Sequence, residues 1–109
     1  METKLEKIFK DMVNNIDWTQ LSSTEGLPES FIREFSDKVN WDEILYAQKL
    51  SENFIREFED KMDFTLVSIN QKLSEEFIIE FADKVDWKEI HKHQNLSDEF
   101  SKEFADRLK

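Results

Sequence analysis

The stretch LSEEFIIEFADKVDWKEIHKHQN, residues Leu73 to Asn95, decides the fold because its pattern recurs, whole or in part, five times along the chain. One aromatic position returns every 23 residues, and so do a leucine, two phenylalanines, an aspartate and a glutamine. These columns are Trp18, Trp41, Phe64 and Trp87; Leu27, Leu50, Leu73 and Leu96; Phe31, Phe54, Phe77 and Phe100; Phe35, Phe58, Phe81 and Phe104; Asp37, Asp60, Asp83 and Asp106; and Gln48, Gln71 and Gln94. A fixed period of this length is the sequence signature of stacked repeats.

Each copy is predicted to fold as a long first helix, a tight turn and a shorter second helix. In the best copy an apolar stripe predicts the first helix over about residues 75–84, with Ser74 as its N-cap. Asp86 and Glu89 have the spacing of a capping box, in which the second acid reaches back to the cap N–H. The stripe residues are Phe77, Ile78, Phe81 and Val85.

We therefore expect an all-α fold, a short α-solenoid of stacked 23-residue helix-turn-helix repeats with about nine helices. It forms a single repeat domain over residues 1–109. The copies, numbered 1 to 5 below, lie at about 4–26, 27–49, 50–72, 73–95 and, as a half copy, 96–109.

The two ends of the repeat array differ from its middle. In copy 1, Ile8, Phe9 and Met12 occupy the columns that hold core phenylalanines and an isoleucine later. In copy 5, Ser101 occupies the column of Phe9 and Ile78. Because terminal repeats of a solenoid need a polar outer face, this serine predicts a capped C-terminal end.

Composition narrows the class of protein. The net charge of −10 makes contact with a phosphate backbone improbable and favours a basic partner. The chain has no cysteine, which excludes a disulfide framework. It shows no signal peptide and no run of 18 apolar residues, so we expect a cytoplasmic protein with no membrane and no direct nucleic-acid partner.

No motif of catalysis or metal binding stands out. His91 and His93 are the two histidines, and two positions apart on a helix they point in nearly opposite directions. A helical metal pair needs a spacing of four. We expect no metal, no cofactor and no catalytic residue, and hence no enzyme.

Carboxylates also repeat in register, on one flank of the predicted first helices. A solvated surface is the favoured interpretation of this acidic ridge. The alternative is that the ridge imitates a phosphate backbone and occupies a basic nucleic-acid channel. Its residues are Glu34, Asp37, Glu57, Asp60, Glu80 and Asp83.

Positions at which the copies disagree are the candidates for function. Tyr46, Leu66, Ile69 and Ile79 are apolar, yet the helical periodicity places them away from the core stripe. Exposed apolar residues gathered in the middle copies often mark a protein-binding interface. Irregular packing that buries them is an equally weighted alternative.

The strings LSENFIREFEDKMDF and LSEEFIIEFADKVDW resemble the short tandem repeats of bacteriophage and giant-virus proteins, roughly LSEEFI, then DKVDW, then a glutamine. The resemblance covers about residues 27–109, and 4–20 more faintly. It implies a viral origin and a binding role, such as inhibition of a host protein, for instance a basic defence nuclease as in anti-CRISPR proteins. The competing class is a structural protein that assembles into a homo-oligomer.

Overall fold

The computed structural model describes residues 2–108, and all regular secondary structure in that range is helical, which confirms the all-α prediction. Ten α-helices and one short 3₁₀ helix (Glu59–Lys61) are found there, one α-helix more than expected. The α-helices are α1 (Lys4–Asn14), α2 (Trp18–Ser22), α3 (Glu29–Glu34), α4 (Trp41–Ala47), α5 (Glu52–Glu57), α6 (Phe64–Asn70), α7 (Glu75–Glu80), α8 (Trp87–His93), α9 (Asp98–Glu103) and α10 (Ala105–Leu108).

The first helix of each later copy is shorter than predicted. In copy 4 the helix expected over residues 75–84 ends at Glu80, and the next four residues form turns. The turn frees the carbonyl of Ala82, which accepts the indole N–H of Trp87 at 2.9 Å. In copies 2 to 4 the first helix has 6 residues and the second 7, so the prediction of a long first helix and a short second one is wrong there. Copy 1 fits it, with 11 residues in α1 and 5 in α2.

The predicted helix caps form, but half of the predicted capping box does not. Ser74 Oγ accepts the N–H of Phe77 at 3.1 Å, and Asp86 Oδ1 accepts the N–H of Glu89 at 3.3 Å. The N–H of Asp86 donates to Ser68 Oγ of the preceding copy at 3.1 Å, rather than to Glu89. A contact expected within one helix is thus replaced by a contact between copies.

The repeated glutamines bind backbone groups of the preceding copy and of the loop that joins the two copies. The buried side chain of Gln71 donates to the carbonyls of Leu45 and Gln48 at 2.9 and 2.8 Å, and accepts the N–H of Leu50 at 2.9 Å. Gln48 and Gln94 make the equivalent bonds one copy earlier and one copy later. Backbone groups that the inter-copy connections would otherwise leave unpaired are satisfied in this way.

A glutamate at the start of each first helix makes a second contact between copies. The Glu52 carboxylate accepts the backbone N–H of Ser74 at 2.6 Å and its hydroxyl at 2.9 Å. The pairs Glu29–Ser51 and Glu75–Ser97 repeat this geometry. Between copies 1 and 2 the serine column holds Pro28, which has neither an N–H nor a hydroxyl to donate.

Apolar packing runs along the array. The second helices α2, α4, α6 and α8 each contact the next in line, and α10 packs on α8. The described chain is elongated, with extents of 62 × 23 × 18 Å. Its continuous core begins in copy 2; the fully buried side chains include Ile32, Ile44, Leu45, Phe54, Ile55, Val67, Phe77, Ile78 and Ile90.

Helix α1 is the exception to this packing. Ile8, Phe9 and Met12 occupy core columns of the repeat, yet all three are exposed, and Val13 is the one buried residue of α1. Copy 1 therefore does not repeat the core packing of the later copies. The later members of these columns lie in the shared core, whereas no described helix covers this face of α1.

Candidate protein-binding surface

The four apolar residues selected from the sequence fall into two groups. Tyr46 on α4 is 74% exposed and Ile79 on α7 is 50% exposed. Leu66 and Ile69, both on α6, are half-buried. Two of the four residues are therefore at least half exposed to solvent.

Leu66 fits the second of the two interpretations given above, because its half-buried side chain packs against the core. Helix α6 lies between α4 and α8 and contacts both, so two of its faces are covered. The apolar periodicity of one helix predicts the face that packs within its own copy, and it does not predict a second face covered by a neighbouring copy.

Tyr46 and Ile69 occupy the same column of adjacent copies, with Lys92 as its next member. Ile69 and Lys92 line an open cleft of about 630 Å³ between the C-terminal parts of α6 and α8. Lys72 also lines the cleft, and because the lining holds two lysines and no acidic residue, the cleft is locally basic in an acidic chain. We call Tyr46, Ile69, Lys92 and this cleft the second-helix surface.

Ile79 belongs to a different part of the molecule, outside the lining of that cleft. Its column holds Arg33 in copy 2 and Arg56 in copy 3, and each arginine pairs with a glutamate 24 residues later. In copy 4 the apolar Ile79 cannot form such a pair. Ile79 is thus an isolated exposed residue on a first helix, and the structure does not gather the four predicted residues into one patch.

All six carboxylates of the predicted acidic ridge are exposed, but two of them are paired. Arg33 contacts Glu57 at 2.8 Å and Arg56 contacts Glu80 at 3.0 Å. The hydrogen bond from Arg33 lowers the pKa of Glu57 below its usual range, and the pKa of Arg33 is raised in return. Among residues 2–108, the ridge carboxylates without an ion-pair partner are Glu34, Asp37, Asp60 and Asp83.

The histidines sit at the end of α8. His93 Nε2 lies 3.2 Å from Glu89 Oε2, one helical turn away, and His91 is exposed. Within the described range, no group of three histidine, cysteine or acidic side chains is placed to hold a metal ion. No helix of that range is long and apolar enough to cross a membrane.

Sequence reasoning overlooked the exposed face of α1 and the basic cleft. One signal for the first was available: Leu5 stands in the column where later copies carry the capping residues Pro28, Ser51, Ser74 and Ser97. Helix α1 instead takes Thr3 as its cap and begins two residues earlier in the repeat. The cleft depends on how adjacent copies stack, which no single helix pattern encodes.

Comparison with known proteins yields no relative of this chain: no protein family, curated protein or solved structure matches it.

Proposed function

We propose that this protein is a non-enzymatic, protein-binding repeat protein built as a short α-solenoid. The solenoid assignment is supported by the same contacts at successive copies, namely the glutamine bonds of Gln48, Gln71 and Gln94 and the glutamate–serine bonds of Glu52 and its equivalents. The elongated shape is also typical of stacked repeats, which present extended surfaces to partners.

The observation that carries the binding role is the exposure of Tyr46. Tyr46 is 74% exposed in the middle of an array whose aromatic columns pack against the core. Tyrosine is enriched among the residues that dominate protein interfaces, because it offers a large apolar area together with a polar tip. Ile69, in the same column of the next copy, lines a cleft that an acidic or polar partner side chain can enter next to Lys72 and Lys92.

The partner we propose is a protein of the host cell, which binding inhibits. This part rests on the resemblance to viral repeats and includes defence nucleases among the candidates. The net charge of −10 favours a partner that is basic overall, because the summed field steers such a protein toward the chain. Tyr46 and Ile69 then supply the short-range apolar contacts.

A second mode of binding, in which the acidic ridge imitates a phosphate backbone, has one observation in its favour. Asp37, Asp60 and Asp83 recur at one repeat position and are all exposed. The ion pairs of Glu57 and Glu80 weaken this mode, because they neutralise two of the ridge charges. A partner held by the ridge would be released steeply between low and moderate salt, since exposed charges are screened.

The test is a double variant, Tyr46→Ala with Ile69→Asp, compared with the wild-type chain. Partners are first captured from host lysate and identified by mass spectrometry, and the affinity for the purified partner is then measured for both chains. We expect the double variant to bind at least about tenfold more weakly, the loss typical of removing interface anchors. Leu5→Ala with Phe9→Asp serves as the matched control on another exposed apolar face and should bind like the wild type.

Two outcomes would overturn the proposal. A folded double variant that retains wild-type affinity would remove the second-helix surface from the interface. A homo-oligomer held together by Tyr46 and Ile69, measured by light scattering with the double variant as a control, would instead support the structural class of protein.

A further inference from the structure

Helix α1 carries a continuous apolar stripe that nothing in the described chain covers. Leu5, Ile8, Phe9 and Met12 are 76%, 47%, 57% and 63% exposed. Their spacing of three, four and seven residues from Leu5 places them on one face of the helix. Four of the six large hydrophobic residues exposed in residues 2–108 are therefore on this single helix, and the other two are Tyr46 and Ile79.

This helix needs a partner for its apolar face. It has 11 residues, and a helix of that length is marginal in water unless its apolar face packs. Few interactions stabilise α1 within the described chain. Thr3 caps its first turn, Val13 is buried, and the carbonyl of Val13 accepts the indole N–H of Trp18 at 3.3 Å.

We propose that the α1 face binds α1 of a second copy of this chain, antiparallel and about a two-fold axis. In such an isologous contact the same residues meet from both sides. An axis midway between Ile8 and Phe9 sets Leu5 opposite Met12 of the partner subunit, and Ile8 opposite Phe9 of the partner subunit. Each apolar side chain of the stripe is then covered by another one.

The charges beside the stripe fit the same arrangement. Lys4 and Asp11 are two turns apart and lie on the same flank of α1, about 20° apart around its axis. Among residues 2–108, neither side chain has an ion-pair partner. Antiparallel pairing brings Lys4 close to Asp11 of the partner subunit, and the two-fold axis repeats that opposite-charge pair.

The size of the face sets the strength of the contact. Helix α1 is about 16 Å long, so its stripe buries well under the roughly 800 Å² per partner of a standard interface. We therefore expect a weak, concentration-dependent dimer. Because α1 lies in the first copy of an elongated array, the dimer joins two chains end to end and is about twice as long as the monomer.

A lipid surface is the competing occupant, since an amphipathic helix can also lie in a membrane interface. The net charge of −10 opposes approach to anionic lipid. Lys7 and Lys10 lie on the side of α1 away from the stripe, but Lys10 pairs with Glu2, and Lys4 shares its flank with Asp11. Pairing of two α1 helices, in contrast, places Lys4 and Asp11 of that flank close to oppositely charged residues of the partner subunit.

Sedimentation velocity of the full chain, from micromolar to millimolar concentration, tests the dimer. We expect a shift from monomer to dimer in the wild type and its loss in Phe9→Asp, which changes an exposed residue.

A charge-swap series tests the geometry of the dimer. Lys4→Glu and Asp11→Lys should each weaken the dimer, because each sets like charges opposite one another, and the double swap should restore it. Lys7→Glu, about 150° from the centre of the stripe, is the matched control and should leave the dimer unchanged.

Three results would overturn the proposal. The wild type could stay monomeric at every concentration. A dimer could form that Phe9→Asp leaves intact, or that the double charge swap fails to restore. Finally, a chain that is monomeric in solution could co-sediment with phosphatidylcholine or phosphatidylserine vesicles and lose this binding in Phe9→Asp, which would assign the face to lipid.

Discussion

Copy 1 and copy 3 carry the same apolar columns but place them in opposite environments. Phe54 of copy 3 is buried, whereas its equivalent in copy 1, Ile8, is 47% exposed. Ile55 is fully buried, whereas its equivalent, Phe9, is 57% exposed. In a repeat protein, burial is therefore set by whether a neighbouring element covers a position, and the residue type alone does not decide it.

The joints between copies explain this contrast. Copies 2 and 3 are joined by the glutamine bonds, by a glutamate–serine bond and by an arginine–glutamate pair. Copies 1 and 2 share the glutamine bonds of Gln48, whereas Pro28 removes the glutamate–serine bond. In copies 2 to 5 the phenylalanine that ends the first helix contacts the aromatic ring at the start of the preceding copy's second helix, as in Trp18–Phe35 and Trp41–Phe58. No described residue offers such a ring to α1, which leaves its apolar face uncovered.

The largest expected effect comes from removing one phenylalanine ring in each of the two environments. Phe54→Ala deletes a ring that makes tilted contacts with Trp41 and Phe58 in the core, and we expect it to cost about 3–5 kcal/mol of unfolding free energy. Phe9→Ala deletes an exposed ring and should change the stability of the monomer by less than about 0.5 kcal/mol. Urea denaturation at low protein concentration measures both. Equal losses would show that α1 is packed in the monomer, contrary to its exposure.

Some features of the fold could be predicted from the sequence, and others could not. The period of 23 residues, the caps Ser74 and Asp86 and the all-α class follow from local patterns. The early end of α7 at Glu80 and the half-burial of Leu66 depend on contacts with neighbouring copies. Periodicity measures the apolar face of one helix, and the offset between stacked copies decides which further faces are covered.

The candidate binding surface could also be predicted only in part. The exposure of Tyr46 and Ile79 follows from their place on the helical wheel, but the cleft beside Ile69 forms only where α6 and α8 meet. The partner of Ser68 Oγ, the N–H of Asp86, comes from the next copy and has no signature in either local sequence.

A middle-sized effect should come from the glutamine bonds. Gln71→Ala leaves the carbonyls of Leu45 and Gln48 and the N–H of Leu50 without this partner, in a buried position. We expect a loss of about 2 kcal/mol, since unsatisfied buried polar groups cost about 1–3 kcal/mol. The matched variant Gln94→Ala breaks three equivalent bonds at a half-buried site, where water can replace them, so it should cost less. Denaturation curves that coincide for the two variants would contradict this ranking.

The smallest effect distinguishes Glu57, which has an arginine partner, from Glu34, its equivalent in copy 2, which has none in the described chain. Arg33 lowers the pKa of Glu57 in the folded protein, so the pair stabilises the fold above the ordinary glutamate pKa. That contribution is lost as the pH falls through the folded pKa, because the protonated carboxyl no longer pairs.

We therefore expect Glu57→Gln to be less stable than the wild type at neutral pH, with the two stability curves converging in acid. Glu34→Gln should show no such convergence. High salt should shrink the neutral-pH difference for Glu57→Gln, because both members of the pair are exposed to solvent. A direct measurement is the NMR titration of the Glu57 carboxyl group, whose pKa should lie below the ordinary glutamate value. If the pKa of Glu57 is at the ordinary value, the arginine pair is not formed in solution, and the joint between copies 2 and 3 then has one contact fewer than the structure indicates.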